Sequence, residues 1–208
     1  MEKQVIISKL INCGALAAIL GGALQMGADV LLMATVGENG TYTATTPELV
    51  ASALFLIGKL LLLVALVGLY LYQAEAAGNF GLVAFLVAFA GTVLMSASDW
   101  FEVFLAPLLV QTPGFTDELP GLLITGFMLN FGLETLGWVL FGIATFRARV
   151  FPRPAALMLM VAVLVPLGLP WIYVVSNSAM IWLGLVVLRA KQGLSFVERV
   201  GAEALPQT

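Results

Sequence analysis

Two stretches of this chain run for a whole membrane thickness with one charge each. Residues 49–72 hold only Lys59, and residues 121–146 hold only Glu134. A membrane-spanning helix needs about 20 consecutive, mostly apolar residues. Such runs fit a transmembrane helix far better than the half-buried elements of a soluble domain. Composition agrees, with 61% of the 208 residues hydrophobic and 10% charged. Soluble chains are about half apolar and about a quarter charged. A domain of this size keeps much of its surface exposed, so lipid has to cover the excess.

Hydropathy and breakers divide the chain into about six segments. The first runs over residues 6–36 and is stopped by Gly37-Glu38-Asn39-Gly40. Lys3 before an apolar run imitates a signal peptide, but the run continues well beyond a short leader core, so this helix is expected to be retained. Pro47 and Glu48 open the second segment, 48–72, since proline suits the first helical turn and an acid the helix N-terminus. A polar connector, 73–79, leads to the third, 80–106. A loop rich in proline and acids then precedes the fourth, 121–146. Arg147-Ala148-Arg149 and Pro152-Arg153-Pro154 end that helix. The last apolar stretch is too long for one span, and Pro166-Leu167-Gly168-Leu169-Pro170 divides it into 155–167 and 171–188. The expected fold is all-α: one polytopic transmembrane helix bundle over 1–192, followed by a tail at 193–208.

Charge sets the expected orientation. Cytoplasmic loops carry an excess of Lys and Arg. With a cytoplasmic N-terminus and six spans, Lys3, Lys9, Arg147, Arg149, Arg153, Arg189, Lys191 and Arg199 all fall inside. Glu38, Asp117 and Glu118 fall outside. Both termini are then cytoplasmic, and a five-span count would put Arg189 and Lys191 on the wrong side. Tyr42, Tyr72, Trp100 and Trp171 sit near the expected boundaries, where amphipathic aromatics are favoured.

Several function classes drop out. A net charge of −3 argues against nucleic acid, which demands a basic surface. The chain has no histidine and one cysteine, Cys13. That leaves no intrachain disulfide, no usual haem or zinc ligand, and no usual base for a serine or cysteine hydrolase. The motifs G-x-S-x-G and H-E-x-x-H are missing. No catalytic residue, metal or cofactor is therefore expected. Ser52 lies two helical turns from Lys59, about 10 Å, too far for a Ser–Lys dyad.

The candidate site comes from charges inside the membrane, each of which costs at least about 2.5–3.5 kcal/mol on insertion scales. Such a residue is paired, or it works. The first segment carries Gln25 and Asp29, the second Lys59, the third Asp99 and Glu102, the fourth Asn130 and Glu134. Counting from the outer ends puts Lys59 roughly 18 Å deep and Glu134 roughly 20 Å deep, so these two are expected to pair. Asn130 is one turn from Glu134 and is expected to complete the hydrogen bonding. Asp99 and Glu102 share a helix face near the outer interface. The outer half of the bundle thus sets four acids against one lysine, an arrangement suited to binding a proton, a cation or a cationic solute. The favoured reading is the plainer one, an interhelical clamp that fixes packing, with the acidic site as its alternative.

Gly14, Ala17, Ala18, Gly21 and Gly22 form a small-residue stripe on the first helix, which favours close helix packing. The stripe serves either the chain itself or a homodimer through Gly14, Ala18, Gly21 and Gly22. The methionines, among them Met158, Met160 and Met180, read as core filler.

Three segments carry a resemblance: Asp99-Trp100-Phe101-Glu102-Val103-Phe104 with Pro107, Arg147-Ala148-Arg149-Val150-Phe151-Pro152-Arg153, and Ile181-Trp182-Leu183-Gly184. Together they resemble a broad group of small, uncharacterised prokaryotic integral membrane proteins with about six transmembrane helices. The resemblance implies a prokaryotic plasma membrane and no particular activity. Three functions are then weighed. The favoured one is a non-enzymatic scaffold or accessory subunit bound to lipid or other membrane subunits; the alternative is a small proton- or cation-coupled transporter or channel using the outer acidic cluster, and the least favoured is an intramembrane enzyme.

Overall fold

The computed structural model describes residues 2–35, 45–112, 121–161 and 171–203, and every regular element among them is helical. The helices are α1 (Glu2–Thr35), α2 (Thr46–Phe104), α3 (Ala106–Val110), α4 (Gly121–Ala148), α5 (Arg153–Met160) and α6 (Trp171–Glu203). Three stretches are long and apolar enough to cross a membrane: Gln4–Thr35, Thr46–Leu109 and Gly121–Ala148. The expected outer loops around Glu38 and Asp117 and the expected turn at Pro166–Pro170 lie outside the described residues.

The start of α2 follows from its sequence. Thr45 donates its backbone N–H (2.8 Å) and its hydroxyl (3.0 Å) to the Glu48 carboxylate, and Pro47 occupies the first turn. An acid three residues into a helix commonly closes a capping box this way.

α2 is not one rod. Gly78 takes φ 57° and ψ −155°, a backbone conformation that side chains of L-residues disfavour and glycine tolerates. The chain doubles back there. Tyr70 stacks on Phe85 with ring centroids 4.6 Å apart, and Ser52 reaches Glu102 at 3.4 Å. In a continuous helix, 50 residues would separate the latter two by about 75 Å. The arms 46–77 and 79–104 are therefore antiparallel, and each exceeds the about 20 residues a crossing requires. This corrects the expected connector at 73–79. Residues 73–77 stay helical, because Gln73 is buried against α4 and Ala74-Glu75-Ala76-Ala77 are good helix formers. One glycine makes the break.

The other helices pack in the same antiparallel manner. On α1, Gly14 meets Gly68, Gly21 meets Gly58, and Gln25 bonds Phe55 of the first α2 arm. The second arm packs on α4 through Ala88 with Gly137, Gly91 with Glu134, and Phe101 with Phe127. α6 runs against α1, with Gly184 on Ala15 and Asn177 on both Gly22 and Asp29. α5 starts near Phe151, whose ring contacts Tyr72, and packs on Gly142 of α4. Two ends result: an Asp29 end and a Tyr72 end. The core between them is built on Leu66, Leu69, Phe141, Leu159 and Leu183. Large apolar residues such as Leu20, Leu60, Val83 and Leu129 point outward, as a lipid-facing surface requires.

Two further differences concern α5 and α6. Of the expected fifth helix at 155–167, the described part is Arg153–Met160. The expected tail from residue 193 is helical through Glu203.

Candidate functional site

At the Asp29 end, polar side chains from four helices face inward. Asp29 (α1) is 6% exposed, Asp99 (α2, second arm) 5% and Glu134 (α4) 9%. The antiparallel registers bring these distant positions to one level. Lys59 of the first α2 arm forms an ion pair with Glu134, both side chains being about one-tenth exposed. This is the pairing expected from depth. Glycine makes it accessible: a Cβ at Gly91 would lie 2.6 Å from Glu134 Cα, so only a bare backbone lets the second α2 arm come this close to α4.

Lys59 also lies within electrostatic reach of Asp29, Asp99 and Glu102, and Asp99 within that of Glu102 and Glu134. The four candidate acids therefore share the field of one lysine. Asn177 donates to Asp29 Oδ2 at 3.0 Å, Ser52 donates to Glu102 at 3.4 Å, and Gln25 donates to the Phe55 carbonyl at 2.9 Å. Asp99 differs: its buried Oδ2 has no hydrogen-bond partner among the described residues. A buried polar atom left without a partner is costly.

Asn130 is placed differently from expectation. It donates to Ser98 Oγ (3.0 Å) and to the Leu94 carbonyl (3.3 Å) of the facing arm, so it ties α4 to α2 rather than completing the Lys59–Glu134 pair. Its amide faces the arm it packs against, and the ion pair lies one turn deeper.

Sequence reasoning missed Asn177, Ser98, and Ser52 as the partner of Glu102. It also read Glu48 only as a helix starter, although the residue is 2% exposed. Asn177 carried a usable signal, being an amide within an apolar run.

The small residues of α1 are engaged within the chain. Gly14 and Gly21 face the first α2 arm, and Gly22 and Ala18 face α6. The close approach that such a stripe permits is thus made intramolecularly.

Among the described residues, no three Asp, Glu or Cys side chains come close enough together to hold a metal ion. The chemistry on offer is that of charged pairs, hydrogen bonds and one unpartnered carboxylate. Comparison with protein-family models, with curated proteins and with solved structures finds no match.

Proposed function

We propose that this chain is a six-span protein of a prokaryotic plasma membrane, with both termini cytoplasmic, that moves protons through the polar half-bundle around Lys59. The observation that carries the reading is Asp99, a buried acid with an unpartnered oxygen in the field of Lys59, Glu102 and Glu134. Ionisable residues inside a membrane commonly mark proton or ion paths. A proton fits better than a metal cation, since the acids do not gather into a ligand set among the described residues.

The topology draws support from helix direction. α1 leads to the Asp29 end, the two α2 arms go down and back, and α4 returns to the Tyr72 end. α5 starts at the Tyr72 end, and α6 runs from the Asp29 end. Lys9, Arg147, Arg149 and Arg153 belong to the Tyr72 end, which the positive-inside rule makes cytoplasmic.

Proteoliposomes loaded with a pH-sensitive dye test the proposal. An imposed pH gradient should dissipate faster with the wild-type chain than with empty vesicles, and Asp99→Asn or Glu134→Gln should remove the difference. Equal rates for wild type and both variants would refute it.

A second reading, a scaffold or accessory subunit that binds other helices, is favoured by the outward face of α4. There Leu122, Met128 and Leu129 are exposed, and Gly126 and Gly132 have no neighbour within 4 Å among the described residues. Absence of flux together with stable co-purification of one membrane partner supports that reading.

A further inference from the structure

A cleft of about 350 Å³ opens at the Tyr72 end, far from the Lys59 cluster. It is lined by Ile11 of α1, by Leu71, Tyr72, Gln73, Glu75 and Ala76 of the first α2 arm, and by Val150 of the α4–α5 link. Its size lies in the range of small-molecule sites, which are mostly apolar with a few placed polar groups. The link is held in an unusual shape: Arg149 has φ 57°, a left-handed conformation costing roughly 1–2 kcal/mol for a residue with a side chain. That turn brings Val150 to the cleft and Phe151 onto the Tyr72 ring at 5.3 Å.

The polar groups here lean to one side of the hydrogen-bond ledger. Gln73 is 1% exposed; its Nε2 donates to Thr145 Oγ1 at 3.0 Å, while its Oε1 has no partner among the described residues. Glu75 adds an exposed carboxylate at the rim. The Gln73 oxygen and the Glu75 carboxylate are both acceptors. Arg147 lies over the Phe80 ring and Arg153 over the Phe146 ring, at 5.4 and 5.6 Å, and Arg149, next to Val150 on the link, is exposed.

We propose that this cleft binds a small organic ammonium ion. The ammonium would be met by Glu75 and by the face of Tyr72, to which cations are attracted, and the apolar body would lie along Ile11, Leu71 and Val150. The site stands independently of proton movement through the Lys59 cluster.

Calorimetric titration of the full chain in nanodiscs tests it, with phenethylammonium as the probe and the neutral phenethyl alcohol as its control. Saturable one-to-one binding of the ammonium is expected, with the alcohol weaker by about ten-fold or more. Glu75→Gln should weaken the ammonium by about ten-fold and leave the alcohol unchanged. Val150→Trp, which fills the cleft from an irregular link, should abolish both. Equal affinity for the two probes, or ammonium binding indifferent to both variants, overturns the proposal. Asp99→Asn leaves this binding intact, so failure of the flux assay and failure of the binding assay are distinguishable.

Discussion

Replacing Gly91 by alanine is expected to pry the second α2 arm from α4 at the level of the ion pair. The new Cβ would stand 2.6 Å from both Cα and N of Glu134 and 2.7 Å from the Leu133 carbonyl oxygen. Ordinary contacts begin near 3.4 Å, so the two helices must move apart by most of an ångström. The atoms met are backbone, which no rotamer change can clear. Overpacking of this kind costs about 1–3 kcal/mol, against which alanine regains up to about 1 kcal/mol of helix propensity over glycine. With that offset the net is a loss of up to about 2 kcal/mol. Gly132, on the same helix as Glu134, supplies the control: among the described residues, no neighbouring atom lies within 4 Å of a Cβ placed there. Gly132→Ala should therefore be neutral or stabilising by up to about 1 kcal/mol. Reversible unfolding in mixed detergent micelles, followed by circular dichroism, measures both. Opposite signs are expected. Gly91→Ala as stable as Gly132→Ala would refute the close approach of these helices.

Other substitutions probe the same frame. Lys59→Met and Glu134→Gln should each destabilise the detergent-solubilised protein by about 3–5 kcal/mol, because each leaves a buried charge alone. The double variant should recover part of that loss, and additive losses in the same unfolding assay would sink the pairing. Gly78→Ala should cost about 1–3 kcal/mol through its backbone conformation alone, read as a lowered unfolding midpoint with unchanged helix content.

Several features were readable from single positions. Pro47 and Glu48 marked the start of α2, and counting turns matched Lys59 with Glu134. Both rest on local chemistry or on the constant rise of a helix. What escaped depended on register between distant segments. The Asp29–Asn177 bond joins positions 148 residues apart, and Ser52 meets Glu102 only because Gly78 reverses the chain. Gln73 was assigned to a connector because polarity was equated with exposure, whereas its amide is buried on Thr145. Asn130 was given to its neighbour on the same helix, because the facing arm that claims it was not visible in the sequence.

The central claim is that one half of the bundle gathers its polar residues from the whole chain. Cross-linking of cysteines at positions 52 and 102 through a short disulfide-forming reagent tests it most directly. The chain has one native cysteine, Cys13, so Cys13→Ala with Ser52→Cys and Glu102→Cys gives a clean background. Oxidation in membranes with a short bifunctional thiol reagent that bridges the two sulfurs should link the pair within one chain, since the contact is made by the end of the Glu102 side chain, 3.4 Å from Ser52, detected as a mobility shift that a reductant reverses. A folded, helical variant that forms no such link would contradict the account, since a continuous α2 would hold the two sites about 75 Å apart.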